Sequence, residues 1–370
     1  MPKYIKKVLI LVAHRPGRSP SQRFRYEQYL LFLESKGYQF EQSFLISEED
    51  DVFFYKQGFY FSKFKVLVKS FFRRWRDTSR VRSFDAVFIQ REAFMLGTSF
   101  FERRIAKTGV PIIFDYDDAI WRSNREGGNK TLSFLKNPDK ISEIISVSSF
   151  VIAGNQYLAD YASKYCDNVS IIPTTIDTEY HKSTASHSEI VIGWTGTFST
   201  FPYLKELFPV LRKIKASFPQ VKFNVICDLD TVIPELGIRT TLWNKEDEII
   251  QLQSISIGVM PLPDNDWSKG KCGFKGLQYM SLKIPTLMSP VGVNVDILRD
   301  GENGFLPDSP EQWYNRLTQL IQDKSLRIEM GEKGYQSVIS NYSVNANKWK
   351  YLELFEKATM HANNTDKASH

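Results

Sequence analysis

Short apolar runs rich in β-branched residues recur along this chain, each separated from the next by a stretch with helical spacing. The first half carries KVLILVAH (7–14), AVFIQ (86–90), VPIIFDYD (110–117), FVIAG (150–154) and VSIIP (169–173), with helical patterns such as 20–36 and 155–165 between them. The theme restarts with EIVIGWTG (189–196), KFNVIC (222–227), SISIGVMPL (254–262) and IPTLMS (284–289). Runs that are apolar throughout suit strands buried on both faces. Alternation with helices joins such strands in parallel. The polar stretch PTTIDTEYHKSTASHS (173–188) reads as a linker. A chain of 370 residues also exceeds one ordinary core. The expected architecture is α/β, with two Rossmann-like, doubly wound domains at 1–175 and 176–341 facing a central cleft. A helix at 342–360 would cross back to the first domain, ahead of a disordered tail at 361–370. Ligands in such sheets bind beyond the carboxyl ends of the strands.

Several chemistries find no support. The cysteines at 166, 227 and 272 have no zinc spacing, and an odd count argues against a disulfide framework. The histidines at 14, 181, 187, 361 and 370 form no ligand cluster, so no metal is expected. No secretory leader and no membrane-spanning run of about 18 apolar residues is evident. The protein is expected to be cytoplasmic, or peripheral on the inner face of the cell membrane. Its formal charge is +6, but nine Lys/Arg against one Asp fall within KQGFYFSKFKVLVKSFFRRWRDTSRVR (56–82). Phe64, Val68, Phe71, Phe72 and Trp75 recur there at helical spacing. Two readings fit: a basic helix in the headgroup layer of an anionic membrane, or a helix packing its aromatics into the first domain with its bases in water. No nucleic-acid module surrounds the segment, and nucleic acid is not an expected partner.

The stretch WSKGKCGFKGLQYMSLKIPTLMSPVG (267–292) sets lysines at the front of a helix starting near Gly273. A helix amino terminus offers free N–H groups and a partial positive charge, to which Lys271 and Lys275 add full charges. Gln278, one turn in, both donates to and accepts from sugar hydroxyls. Gly292, in SPVGVN, allows close approach of backbone to a ligand. GWTGTFST (193–200) adds Thr195 and Thr197 hydroxyls, and Gly196 would turn amides toward a phosphate. It is not GxGxxG, so no nicotinamide or flavin is implied. In the first half, HRPGRSPSQRFRYEQY (14–29) crowds Arg15, Arg18, Arg23 and Arg25 at a helix entry, with Ser19, Pro20 and Gln22 as its start signal. Guanidinium groups grip phosphates bidentately, which suits a phosphate-bearing acceptor; the plainer alternative pairs some of them with Glu27. Asp115, Asp117 and Asp118 close the strand at 110–117. Asp118 could instead cap a following helix.

SQRFRYEQY (21–29), FDYDDAIW (114–121), GWTGTFST, KGKCGFKGLQYMSLKIPTLMSPVGVN (269–294) and DGENGFL (300–306) together resemble the retaining glycosyltransferases of the GT-B type, group 1 (family 4). The resemblance implies a nucleoside-diphosphate sugar as co-substrate, with UDP or GDP, and no cofactor. It assigns donor contacts to Thr195, Gly196, Thr197, Glu246, Gln278, Gly292, Val293 and Asn294. Lys271 and Lys275 become the partners of the leaving diphosphate. Asp117 stands where relatives often place a histidine, and His14, Arg23, Arg25, Asp115 and Asp118 fall on the acceptor side. Relatives often flank the helix start with two glutamates; here those positions hold Gly270 and Gln278. The implied reaction moves a sugar to a saccharide or polyprenyl-diphosphate-linked acceptor in surface polysaccharide synthesis. Two alternatives share the fold: a nucleotide-sugar epimerase, and a non-catalytic carbohydrate-binding or assembly protein.

Overall fold

The computed structural model describes residues 4–56, 58–122, 137, 139–183 and 189–368. The chain divides into two compact units. One comprises Met1–Pro173 with Asn347–His370, and the other Thr174–Ala346.

The first unit is built on six parallel strands: β1 Lys6–His14, β2 Tyr38–Ile46, β3 Ala86–Gln90, β4 Ile112–Tyr116, β5 Phe150–Ala153 and β6 Val169–Ile171. Their order is β2-β1-β3-β4-β5-β6. Every residue of β3 and β4 is buried, as the unbroken apolar runs require. β2 has no such run; it pairs with β1 along the edge in register Lys6↔Tyr38 to His14↔Ile46. The helix expected over 20–36 is broken into Pro20–Arg23, a 3₁₀ turn Glu27–Tyr29, and Leu30–Ser35. Its start signal is not used as a cap. Ser19 makes no side-chain cap bond. The Gln22 amide group instead clasps the His14 backbone, accepting from its N–H at 3.1 Å and donating to its carbonyl at 3.0 Å.

The last helix, Val344–Ala368, takes in residues 361–368 that were expected to be a disordered tail; 369–370 lie outside the described residues. It completes the core of the first unit. Tyr351 stacks on Tyr29 at 4.2 Å, and Phe355 meets Tyr38 edge-on and Phe88 face to face.

Helix Tyr60–Ser79 turns its polar side inward. Ser70, Arg74 and Asp77 are fully buried. Arg74 donates to the Ser43 hydroxyl at 2.8 Å, to Asp77 at 3.0 Å and to the Val12 carbonyl at 2.7 Å. Val66 packs into the domain, Phe71 lies edge-on to Phe101 while keeping part of its surface exposed, and Tyr60, Phe61, Phe64 and Phe72 face water.

The second unit carries a five-stranded parallel sheet: β7 Val191–Thr195, β8 Lys222–Cys227, β11 Thr241–Leu242, β12 Ile257–Met260 and β13 Thr286–Met288, in the order β11-β8-β7-β12-β13. A small antiparallel pair, β9 Val232–Ile233 with β10 Ile238–Arg239, stands apart. Helix Phe201–Ser217 lines the core with Leu204, Leu207, Leu211 and Ile214 around Trp194. Of the expected linker, 184–188 lie outside the described residues; Ile176 bridges to Ser343 within the second unit. Among the described residues, no helix is long and apolar enough to cross a membrane.

Candidate functional site

In the second unit β7, β12 and the edge strand β13 are neighbours. Three loops leave their carboxyl ends: 196–200, 261–273 and 289–293. Helix Phe274–Ser281 follows the second loop, with Gly273 as its N-cap. Lys275, in its first turn, donates to the Thr200 hydroxyl at 3.0 Å, and its ammonium lies 4.6 Å from the centre of the Trp194 ring. Burial, followed by the charge of Lys271, brings the Lys275 pKa down to about 7. Lys271 rests its own ammonium 4.8 Å from the Trp267 ring. Two cations thus sit at one helix start, where an anion would relieve their repulsion.

Gln278 lies on the same helix and is only 3% exposed. The third loop approaches the second closely. A Cβ at Gly292, whose φ is +55°, would stand 2.9 Å from the Lys269 backbone. Among the described residues, the amides of Gly292 and Val293 take no part in the hydrogen bonds of this turn, so they remain as donors. Asn294 is fully buried and braces the turn, its amide donating to the Ser289 carbonyl and its backbone N–H to that of Val291. Its Oδ1 takes no partner among the described residues.

The loop after β7 also departs from expectation. The N–H of Thr195 donates to the Tyr279 hydroxyl at 2.7 Å, that of Gly196 to the Ile226 carbonyl, and that of Thr197 to the Thr200 hydroxyl. None of the three amides is turned toward a phosphate. Gly196 is required for another reason, since a Cβ there would fall 2.1 Å from the Trp194 ring. What this loop offers a ligand is hydroxyls, those of Thr197, Ser199 and Thr200, with that of Thr197 within hydrogen-bond reach of the other two. Glu246 is exposed in the loop after β11, two strands away from β7.

In the first unit the expected acceptor residues separate into two groups. Arg25 and Asp115 are fully buried and paired through two hydrogen bonds, from Nε at 3.3 Å and from a terminal guanidinium nitrogen at 2.5 Å, and Arg25 makes a third to the Ile172 carbonyl. With no exposed surface, neither is placed to meet an acceptor, so both are corrected to scaffold. Arg15 and Arg18 pair with Asp51 rather than Glu27, which accepts instead from the Gly17 N–H and the Gln22 amide. Asp117 and Asp118 remain at the end of β4, and one residue joins them: Arg91, at the end of β3, lies 2.7 Å from Asp117 and 2.8 Å from Asp118. The carboxylate of Asp118 is thus engaged by Arg91. Burial opposes the Arg91 charge, but the two carboxylates outweigh it and raise its pKa above the ordinary value. Arg91 also holds φ at +65°, a conformation costly for a residue with a Cβ and common at functional sites. His14, at the end of β1, meets the Tyr55 hydroxyl through Nε2 at 3.1 Å. Burial, and after it Arg18, pushes the imidazole down to about 4, so it is neutral at physiological pH. Arg23 is half-buried and packs over the Phe24 ring.

Sequence reasoning missed Arg91, because a lone arginine after a strand has no local signature. Thr200 lay inside a motif already singled out. Its spacing from Lys275 across 75 residues is visible only once the strands are ordered.

Residues 189–323 match the family model described as glycosyl transferases group 1. These residues lie within the second unit. The two-unit chain has the GT-B fold, two Rossmann-like domains each built on a parallel sheet. Among solved structures it is similar to sucrose-phosphate synthase from Thermosynechococcus elongatus, at TM-score 0.66 and 12% identity over 95% of this chain and 98% of that one. HepE from Anabaena, in complex with UDP and glucose, gives 0.65 and 12% over 96% and 100%. A glycosyltransferase from Rickettsia africae gives 0.64 and 11% over 96% and 98%. No curated protein matches the sequence.

Proposed function

We propose that this chain is a glycosyltransferase that moves a sugar, with retention, from a nucleoside-diphosphate sugar to a saccharide or lipid-linked acceptor, working at the cytoplasmic side in surface polysaccharide synthesis. One observation carries the reading most directly. In the stretch that matches the glycosyl transferase family model, Lys275 is hydrogen-bonded to the loop of one strand while Lys271 stands at the start of the same helix. That arrangement suits a diphosphate leaving group. UDP is favoured as the nucleotide, because structurally similar HepE has been seen with UDP-glucose. Gln278 would hold a ribose hydroxyl, and the amides of Gly292 and Val293 would meet the sugar or its phosphate.

In the reaction, the bond from the anomeric carbon to the diphosphate oxygen breaks as the acceptor oxygen bonds to that carbon. The acceptor proton passes to the departing phosphate oxygen. Lys271 and Lys275 would stabilise the negative charge that grows on the diphosphate, and no side chain need act as a base. Asp117, held by Arg91, would orient the transferring sugar or the acceptor; His14, Asp118 and Arg23 are the remaining acceptor candidates. The test is nucleotide release from UDP- and GDP-sugars with and without simple glycoside acceptors. Acceptor-dependent release that Lys271→Ala abolishes, in a protein still folded by circular dichroism, supports transfer. Donor turnover without acceptor points to an epimerase. Donor binding with no turnover, unchanged in Lys271→Ala, points to a carbohydrate-binding protein.

A further inference from the structure

Helix Tyr60–Ser79 is amphipathic the wrong way round for a helix that only packs. At 100° per residue, Tyr60, Phe61, Phe64, Val68, Phe71, Phe72 and Trp75 fall within about one third of its circumference, and that arc faces water. Tyr60 and Phe61 are 73% and 71% exposed, and Phe64 and Phe72 are 62% and 66%. The ring of Phe100, from helix Phe100–Ala106, lies parallel to Trp75 and extends the patch. The buried arc holds Ser70, Arg74 and Asp77 instead. Phe71 and Trp75 pack in part on Phe94, Phe101 and Phe100, whereas Tyr60, Phe61, Phe64 and Phe72 stay mostly exposed.

Its border is basic. Lys65 lies over Phe61 and Arg104 over Trp75, and Arg76 is exposed beside them. The only acid of the helix, Asp77, is buried against Arg74. On the acidic helix Glu48–Phe54 packed against it, Asp50 takes Lys69, and Asp51 takes Arg15 and Arg18.

We propose that this face seats in the headgroup layer of an anionic lipid bilayer, with the rings below the phosphates and Lys65, Arg76 and Arg104 among them. Aromatic side chains favour that depth, and long basic side chains bury their stems while keeping their charges in the phosphate plane. A second copy of this chain docked about a twofold axis would set the same basic border against itself, which disfavours a dimer through this patch. The inference does not depend on the transfer reaction.

Vesicle co-sedimentation of the whole protein tests it, with vesicles of equal parts phosphatidylglycerol and phosphatidylcholine against phosphatidylcholine alone. Binding should require the anionic lipid, weaken with salt, shift the Trp75 emission to the blue and resist competition by soluble glycerol phosphate. The triple variant Phe61→Ser/Phe64→Ser/Phe72→Ser should bind about a hundredfold more weakly. Lys65→Gln/Arg76→Gln should lose about tenfold or more. These positions are exposed, so an unchanged melting temperature and circular dichroism spectrum confirm that the variants fold. Absence of binding to anionic vesicles at low salt overturns the proposal, as does full binding by the triple variant. A wild-type dimer in sedimentation that the triple variant makes monomeric, with no vesicle binding, assigns the patch to a second copy instead.

Discussion

Because Lys275 has its pKa brought down to about 7 by burial and by Lys271, donor binding should take up a proton. The free protein holds this ammonium at about half occupancy at neutral pH. A bound diphosphate favours the charged form and would return the pKa toward the ordinary lysine value of about 10.4. The sign follows: below pH 7 the lysine is already charged and affinity is full, and above it binding must supply the proton. Affinity should then fall by up to about tenfold per pH unit until the bound-state pKa is reached. From pH 6 to pH 9 the expected loss is roughly a hundredfold, about 3 kcal/mol. At pH 8 the uptake should be about 0.9 proton per donor bound. Calorimetry with UDP-glucose in two buffers of different ionisation enthalpy measures the uptake directly. A nucleotide-sugar suits the purpose better than UDP, whose terminal phosphate itself titrates near neutrality. Lys275→Arg, permanently charged, should abolish both the uptake and the pH dependence. Tight binding with no proton uptake at pH 8, or an affinity flat from pH 6 to 9, would refute the reasoning.

Three further outcomes are expected. Arg91→Ala should leave donor affinity unchanged, since Lys271, Lys275 and Gln278 belong to the other unit, while transfer falls at least about tenfold as Asp117 loses its clamp; calorimetry and acceptor kinetics separate the two effects. Arg25→Met should cost about 3–5 kcal/mol in denaturant unfolding by stranding Asp115, and Arg25→Met/Asp115→Leu should recover much of it; a double variant no more stable than the single would contradict a purely structural pair. Tyr279→Phe should cost about 1–3 kcal/mol, because the Thr195 N–H loses its buried acceptor, a change that a thermal melt resolves.

How much of this was legible in the residues depended on whether a signal was local. β1, β3 and β4 carry apolar runs, Val8–Val12, Ala86–Ile89 and Ile112–Phe114, that announce themselves, whereas β2, YQFEQSFLI, mixes Glu41 and Gln42 into an edge strand with four of its nine residues buried. Helical spacing revealed the periodicity of 60–79 but not which side faces inward. That is decided by Ser43, on β2, and Arg74, 31 residues further on, meeting in one buried network. The lysines at the donor helix stood out from their apolar surroundings. The status of the amides at 195–197 did not, because Tyr279, Ile226 and Thr200 reach them from three different elements. The pairing of Arg25 with Asp115 joins residues 90 apart, so four clustered arginines looked alike until the fold distinguished them.

The return of the last helix to the first unit has a consequence for synthesis on the ribosome. Thr174–Ala346 is one unbroken stretch and can finish folding while the chain is still being made. The first unit cannot. Tyr29, Tyr38 and Phe88 receive their partners only when Tyr351 and Phe355 emerge, after the whole second unit has been translated. The half made first is therefore completed last, and it holds an open aromatic seam for as long as the other half takes to appear.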